Sequence, residues 1–385
     1  MKVTKIETLS CDGGWRTQNF VKISTDEGII GYSEANCLQS APMLVAAIKH
    51  LGHYIIGTNP MNTEAALHKL YSVTHRQIGG LAQQAISAID AALLDIKGKA
   101  LGVPVHQLFG GPVWDKIRVY YTHVGRHEPM NPDTIPVHTI DDIPAAAAEV
   151  KRQGFTAVKM GLSSVSRADG VTWWQETKSG DISNQLLDYY VKWFTAWREG
   201  LGPDIGLALD VAFSFKLGGM LKLAQALEPL NMMWLEAETL DAESLRTVRL
   251  NSRTPICSGE SLRRCHEYKP FLESHALEII MPDTVWNGIT EGKKVADYAN
   301  TYDIMFAPHN SHGVIGTLQA VNLVATLPNF LILEYEADDM PWRQEIVSET
   351  YTVRDGFLEV PTKPGLGVDL NEEAIAAHPP KIWRD

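Results

Sequence analysis

The chain has 385 residues, of which 45% are hydrophobic and 21% charged, with a formal net charge of -12 at pH 7. That length accommodates two domains or one barrel with a cap, and the composition is that of an ordinary globular protein. No basic block or basic tail offsets the acidic balance, which argues against nucleic acid as a partner.

The opening "MKVTKIETLS" has no apolar signal-peptide core, and no run of about 18 apolar residues occurs; a soluble, cytoplasmic chain that stays off the membrane is expected. "VTKIETLSC", then "NFVKISTDEGIIGYSEA" with its "DEG" turn, read as a small antiparallel sheet. In "LAQQAISAIDAALLDIKGKALG" the residues Ala82, Ile86, Ile89, Leu93 and Ile96 recur on one helical face. Gly110, Gly111 and Pro112 interrupt this periodicity, so residues 1–113 are expected to form an α+β capping domain.

Short apolar strands then alternate with amphipathic helices. The strands are "IRVYYT" from Ile117, "FTAVKM" from Phe155, "IGLALD" from Ile205, "NMMWLE" from Asn231, "TPICSG" from Thr254, "ALEIIM" from Ala276, "YDIMFA" from Tyr302 and "FLILEY" from Phe330. Continuous apolar strands imply a parallel sheet covered on both faces, and eight units in about 240 residues fit a (β/α)8-type barrel over 114–350. The polar insertion "GLSSVSRADGVTWWQETKSGD", with Trp173 and Trp174, interrupts the second unit. Residues 351–385 are turn-rich and are expected to return to the cap. The cysteines Cys11, Cys37, Cys257 and Cys265 form no CxxC pair and read as free thiols in a reducing compartment.

A barrel gathers its chemistry at the C-terminal ends of its strands. From the second strand onward those ends carry Lys159, Asp210, Glu236, Glu260, Asp283, His309 and Glu334. One strand-end acid is ordinarily a helix cap or ion-pair partner. Seven ionisable groups on one rim are not, because unrelieved acids near the axis would repel and be desolvated. Asp210, Glu236 and Glu260 lie on consecutive strands, which sit about 4.8 Å apart, so three carboxylates can converge on one cation. An all-oxygen set favours Mg²⁺, with Mn²⁺ as a chemical substitute, and the absence of a strand-end HxH pair counts against zinc. Such a cation would stabilise the enediolate formed when a carboxylate's neighbouring carbon loses a proton. His309, with an ordinary pKa near 6.5, is the candidate base, and Asp283 is placed to fix its tautomer. His312 reads as a loop-closing residue. His123, after the first barrel strand, and Tyr121 are candidates to reach substrate, with loop packing as the equal alternative for each.

These residues, within "AVKMG", "ALDVAFSF", "MWLEAE", "CSGES", "MPDTVWNGITEGKKVA", "APHNSHGVIG" and "LILEY", resemble the motifs of the enolase superfamily, in its mandelate racemase-type subgroup. The likeness runs from "IDAALLDIKGKALGVPVHQLFGG" in the cap to the closing "PTKPGLGVDL". It implies that Asp210, Glu236 and Glu260 bind Mg²⁺, and that His309 with Asp283 forms an acid/base dyad. It also implies that Glu334 hydrogen-bonds a substrate oxygen, as the neutral acid or through an oriented donor network. Cap loops would cover the site, giving Trp15, Arg16, His75 and Arg76 as substrate-facing candidates, and a homo-oligomer, dimer or octamer, is implied.

The chain departs from the subgroup at two points. Racemases of the group carry K-x-K at the second strand, whereas here Lys159 is followed by Met160 and Gly161, so two-base racemisation loses its second base. The position two beyond Asp210, which holds a histidine or asparagine in some dehydratases, is Ala212. The reading that remains is a lyase: an acid-sugar dehydratase converting an aldonate or aldarate to a 2-keto-3-deoxy acid, with Lys159 as an electrostatic clamp. An epimerase or cycloisomerase using the same enediolate is the alternative, and a non-catalytic barrel scaffold the second.

Overall fold

The computed structural model describes residues 1–36, 40–77, 79–125, 134–161, 180–337 and 339–381; the insertion with Trp173 and Trp174, and Cys37, lie outside them. The cap begins with an antiparallel meander of β1 (Val3–Asp12), β2 (Thr17–Thr25) and β3 (Ile30–Ala35). Helices α1 (Ala41–Gly52), α2 (Thr63–Val73) and α3 (Gly80–Leu101) follow. The expected stripe of Ile86, Ile89, Leu93 and Ile96 on α3 is buried against this sheet. At Gly31 a Cβ would stand 2.2 Å from the carbonyl oxygen of Ala92, so only glycine lets β3 approach the helix so closely. Helix α3 stops at Gly102, whose left-handed conformation (φ 70°) closes its last turn.

The barrel takes β4 (Lys116–Thr122), α4 (Ile143–Arg152), β5 (Ala157–Gly161), α5 (Asn184–Leu201), β6 (Gly206–Asp210), α6 (Leu217–Leu227), β7 (Trp234–Glu236) and α7 (Ala242–Leu250). It continues with β8 (Ile256–Ser258), α8 (Arg264–Glu273), β9 (Ile279–Ile280), α9 (Thr284–Asn287), α10 (Ile289–Asn300), β10 (Met305–Phe306), α11 (Val314–Val324) and β11 (Leu333–Tyr335). The strands lie in the order β10-β9-β8-β7-β6-β5-β4-β11, and each neighbouring pair is parallel. Between the two edge strands runs a single parallel bridge, Phe306 to Phe330. The result is the expected (β/α)8-type barrel, left partly open at that seam, beneath the N-terminal cap. The paired strands are shorter than the apolar runs. Flanking residues continue the ladder through single bonds, such as Glu278 N–H to the Ile256 oxygen at 3.1 Å and Met281 N–H to the Ser258 oxygen at 2.9 Å.

The barrel interior is filled by Tyr120, Ala157, Ala208, Trp234, Cys257, Ile279, Met281, Ala307 and Ile332, at least one from each strand or its immediate extension. This plug of large and small side chains is the floor on which the site stands. Among the described residues Cys11 and Cys257 are buried and Cys265 half-buried, all as free thiols. No described helix is long and apolar enough to cross a membrane.

Past the barrel, β12 (Phe357–Glu359) pairs antiparallel with β4, and α12 (Glu372–Ala377) reaches the cap through Lys22 to Glu372 at 2.5 Å. Asp95 on α3 binds this segment more deeply. Its buried carboxylate accepts from Tyr32 N–H at 2.8 Å and Leu366 N–H at 2.8 Å, and pairs with Lys99 at 2.6 Å. Asp95→Ala would leave two buried N–H groups and one ammonium without this partner. It is expected to lower unfolding free energy by about 3 kcal/mol, measured as a shift of the urea midpoint.

Candidate active site

Side chains alternate along a strand, so the position two beyond each plug residue points into the barrel mouth. Lys159 follows Ala157 in this way, Asp210 follows Ala208, Glu236 follows Trp234, Asp283 follows Met281, His309 follows Ala307 and Glu334 follows Ile332. By the same alternation Tyr121 is directed out of the barrel interior, 5.0 Å from Phe155 between ring centroids, which is the packing alternative. Its neighbour Tyr120 is the one that faces inward, beneath Lys159.

Lys159 stands at the centre of the acids. Its Nζ lies 3.0 Å from Glu236 Oε2 and 3.0 Å from Glu334 Oε1, and the side chain is only 2% exposed. Burial alone would drive off its proton; the charges of Glu236 and Glu334 outweigh burial and hold its pKa well above the usual lysine range. Burial pushes Glu334 upward, but Lys159 and His309 bring it down to about 2. Both cations therefore favour the ionised form of Glu334. Its Oε2 accepts from Asn310 N–H at 3.0 Å.

Asp210 and Glu236 are paired residues on adjacent strands. Burial, and then the charge of Asp210, push Glu236 well above the ordinary carboxyl range against the pull of Lys159. Burial likewise raises Glu260 to about 7, eased by His309 and aggravated by Asp210 and Glu238. One ammonium thus faces more acids than it can neutralise. The donors are carboxyl oxygens whose simultaneous ionisation is disfavoured, and a hard divalent cation such as Mg²⁺ fits them because its charge would favour the ionised forms.

Beside this group, His309 Nδ1 donates to Asp283 Oδ2 at 2.6 Å, while its Nε2 faces Glu260 Oε2 at 3.5 Å and Glu334 Oε2 at 3.8 Å. Burial disfavours the imidazolium, but Glu260, Glu334 and the Asp283 bond raise the His309 pKa to about 10. Asp283 caps α9, its Oδ1 accepting from Trp286 N–H at 2.7 Å. Despite burial, the charge of His312 and bonds from both histidines hold Asp283 well below the ordinary carboxyl range.

His312 does more than close the loop. Its Nε2 donates to the same Asp283 Oδ2 at 2.8 Å, and its Nδ1 lies 3.3 Å from Asn36 Nδ2 of the cap. Asp283, His309 and His312 bring three donor atoms within 4.8 Å of one another, close enough to hold a metal ion. Here, however, both histidines hydrogen-bond to a single carboxylate oxygen, and nitrogen donors suit zinc better than Mg²⁺.

The cap-side candidates divide. Trp15 and Arg16 meet the rim at Glu336, through Trp15 Nε1 at 3.2 Å and Arg16 Nη1 at 2.8 Å; Arg16 also reaches Asp339 at 3.3 Å. Arg16 is 1% exposed, so it acts as a strut between cap and barrel. His123 adopts a left-handed backbone (φ 59°), and its Nδ1 lies 3.2 Å from Glu336 Oε1. His75 and Arg76 are exposed beyond α2, with His75 Nδ1 2.8 Å from the Ser72 oxygen. No described contact brings either to the strand-end acids. Sequence reasoning missed Glu336 and Glu238, each two residues past a strand-end acid it had named.

Residues 13–110 match the family "Mandelate racemase / muconate lactonizing enzyme, N-terminal domain", and residues 142–374 match "Enolase C-terminal domain-like". The chain is similar to a D-xylonate dehydratase of Haloferax volcanii (31% identical, covering 98% of this chain and 89% of the relative). It is also similar to a D-galactonate dehydratase of Pectobacterium atrosepticum (32% identical, 97% and 94%). Among solved structures, a Burkholderia xenovorans protein provisionally assigned as an L-alanine-DL-glutamate epimerase, bound to magnesium and fumarate, superposes with a TM-score of 0.94 at 34% identity, covering 99% of this chain and 97% of that one. A partly open barrel under an antiparallel cap, with acids, a lysine and a His-Asp pair at its mouth, agrees with these matches: the chain belongs to the enolase superfamily, in its mandelate racemase subgroup, among the magnesium-dependent enzymes of that group.

Proposed function

We propose that the protein is a sugar-acid dehydratase that removes water from an aldonate or aldarate to leave a 2-keto-3-deoxy acid. The observation that carries this reading is the one-sided base. His309 turns Nε2 toward the acid cluster, while the corresponding place on β5, Gly161 opposite Asp210, has no side chain. The dehydratase names of the relatives support the substrate class.

Asp210, Glu236 and Glu260 would hold Mg²⁺, in preference to the His309 group, because they offer hard oxygen donors whose joint ionisation needs a compensating cation. Bound there, Mg²⁺ supplies the charge that stabilises the two negative oxygens of an enediolate and acidifies the carbon beside the substrate carboxylate. His309 Nε2 takes that proton, and Asp283 keeps Nδ1 protonated and steadies the imidazolium. The enediolate collapses to the enol as the neighbouring C–O bond breaks. The proton on His309 leaves with the hydroxide as water, and the enol tautomerises to the keto acid. Lys159 stays charged throughout, balancing Glu236 and Glu334 below the reacting carbon.

His123 favours a second reading. With Glu336 it forms another imidazole-carboxylate pair, on the strand next to β5. An epimerase or cycloisomerase would use it as the second acid/base. Reaction in deuterium oxide separates the two: a keto acid marks dehydration, whereas an isomeric acid carrying deuterium, with no water lost, marks epimerisation and would reject the dehydratase reading.

A screen of four- to six-carbon aldonates and aldarates with Mg²⁺ should yield a keto acid, and EDTA should abolish it. His309→Asn should fold normally yet lose at least about a thousandfold in turnover and in proton exchange, since an amide is no base in this range; wild-type exchange would remove His309 from that role. Asp210→Asn should abolish calorimetric Mg²⁺ binding. In EDTA-treated protein, NMR should find His309 cationic at pH 8 and neutral only above about 10. Glu260→Gln removes a negative neighbour, and so should move that titration downward.

A further inference from the structure

Glu260 breaks the rule that places the other site residues. It lies three positions beyond the plug residue Cys257, so a straight continuation of β8 would point it away from the mouth. The chain restores the direction with a turn at Gly259. There φ is +108° and a Cβ would stand 3.1 Å from Tyr268 Cε1, a position suited to glycine. A turn of this kind has backbone groups to satisfy, and one buried side chain gathers its N–H donors.

Glu238, two residues past Glu236 and 2% exposed, accepts from Gly259 N–H at 2.5 Å, Glu260 N–H at 3.3 Å, Ser261 N–H at 3.3 Å and Ser258 Oγ at 3.1 Å. Other side chains take the carbonyls. Tyr268 Oη lies 2.8 and 2.9 Å from the Gly259 and Leu262 oxygens, which share its one proton, and Arg263 Nη1 donates to those of Glu260 and Leu262 at 2.8 and 2.9 Å. By alternation Glu238 would be a fourth acid beside Glu236. Instead its two oxygens are committed to four donors of the neighbouring loop.

We propose that Glu238 is a positioning residue of the metal centre: its carboxylate folds residues 258–261 into the turn that delivers Glu260 to the cation, and thereby sets Mg²⁺ affinity without touching the ion. The inference rests on Asp210, Glu236 and Glu260 being the Mg²⁺ ligands. Glutamine at 238 keeps the shape but puts an N–H₂ where an acceptor is needed, so the turn loosens and Glu260 spends part of its time directed elsewhere.

The test is calorimetric titration of Mg²⁺ into the EDTA-treated full chain as wild type, Glu238→Gln and Glu260→Gln, each checked for folding by thermal denaturation. Glu238→Gln is expected to bind at least about tenfold more weakly. Its requirement for Mg²⁺ should rise in step, while kcat recovers at saturating Mg²⁺. If Glu260→Gln binds as tightly as wild type, the carboxylate cage is itself wrong and this inference goes with it. If Glu260→Gln loses affinity while Glu238→Gln stays within about twofold of wild type, the cage stands and the positioning role is overturned; a kcat that saturating Mg²⁺ does not restore overturns it as well. Should Glu238→Gln not fold, hydrogen exchange in the wild type with EDTA decides. Slow exchange at the Gly259, Glu260 and Ser261 amides supports the clamp, and exchange at exposed-loop rates overturns it.

Discussion

A single buried ammonium sets the electrostatics of the barrel mouth. Lys159 is nearly inaccessible and pairs with Glu236 and Glu334 at once, so it stays charged where burial alone would neutralise it. It balances part of the field and no more: Asp210 and Glu260 remain in mutual repulsion with Glu236. The same surplus is felt at His309, whose pKa rises to about 10 because Glu260 and Glu334 face it. A divalent charge among those carboxylates would relieve the acids and lower the imidazole together. In the proposed reading, cation and imidazole are thus two responses to one group of crowded acids.

Geometry enters through the barrel's alternation. Because the plug packs small side chains against large ones, each strand end stands above a filled floor, and the residue two positions on is directed into the mouth at six of the strands. Six ionisable groups reach the site by that rule. The seventh, Glu260, needs a specific turn, and the turn in its turn needs an acceptor, which Glu238 supplies. The ionisable side chains of the mouth are therefore placed by backbone periodicity first and by local hydrogen bonds where periodicity fails.

This division explains what could be read from the sequence. The eight strands were legible because strands covered on both faces are continuously apolar, and the acids were legible because they recur once per β/α unit. Asp283 and His309 were legible as a pair because they end neighbouring strands. What escaped were contacts between segments far apart in sequence. Trp15 and Arg16 meet Glu336 across more than three hundred residues, and Asn36 of the cap reaches His312 across 276. Tyr121 had two open readings, and one residue of phase decides between them, because in a strand it reverses the direction of the side chain. Glu238 escaped as well, because nothing in its spacing reveals that a neighbouring loop supplies its donors.

The cap contributes to the chemistry in a way its position alone would not suggest. Asn36, at the end of β3, touches His312, which shares with His309 a single oxygen of Asp283. On the other side of the mouth, Arg16 and Trp15 fasten the β1–β2 connection to Glu336, the same carboxylate that faces His123. Each of the two imidazoles at the mouth therefore rests on a carboxylate also tied to the cap, one of them through His312. A displaced cap would disturb the tautomer and orientation of His309 on one side and the seat of His123 on the other. The seating of the cap and the orientation of these imidazoles thus depend on the same two carboxylates, Asp283 and Glu336.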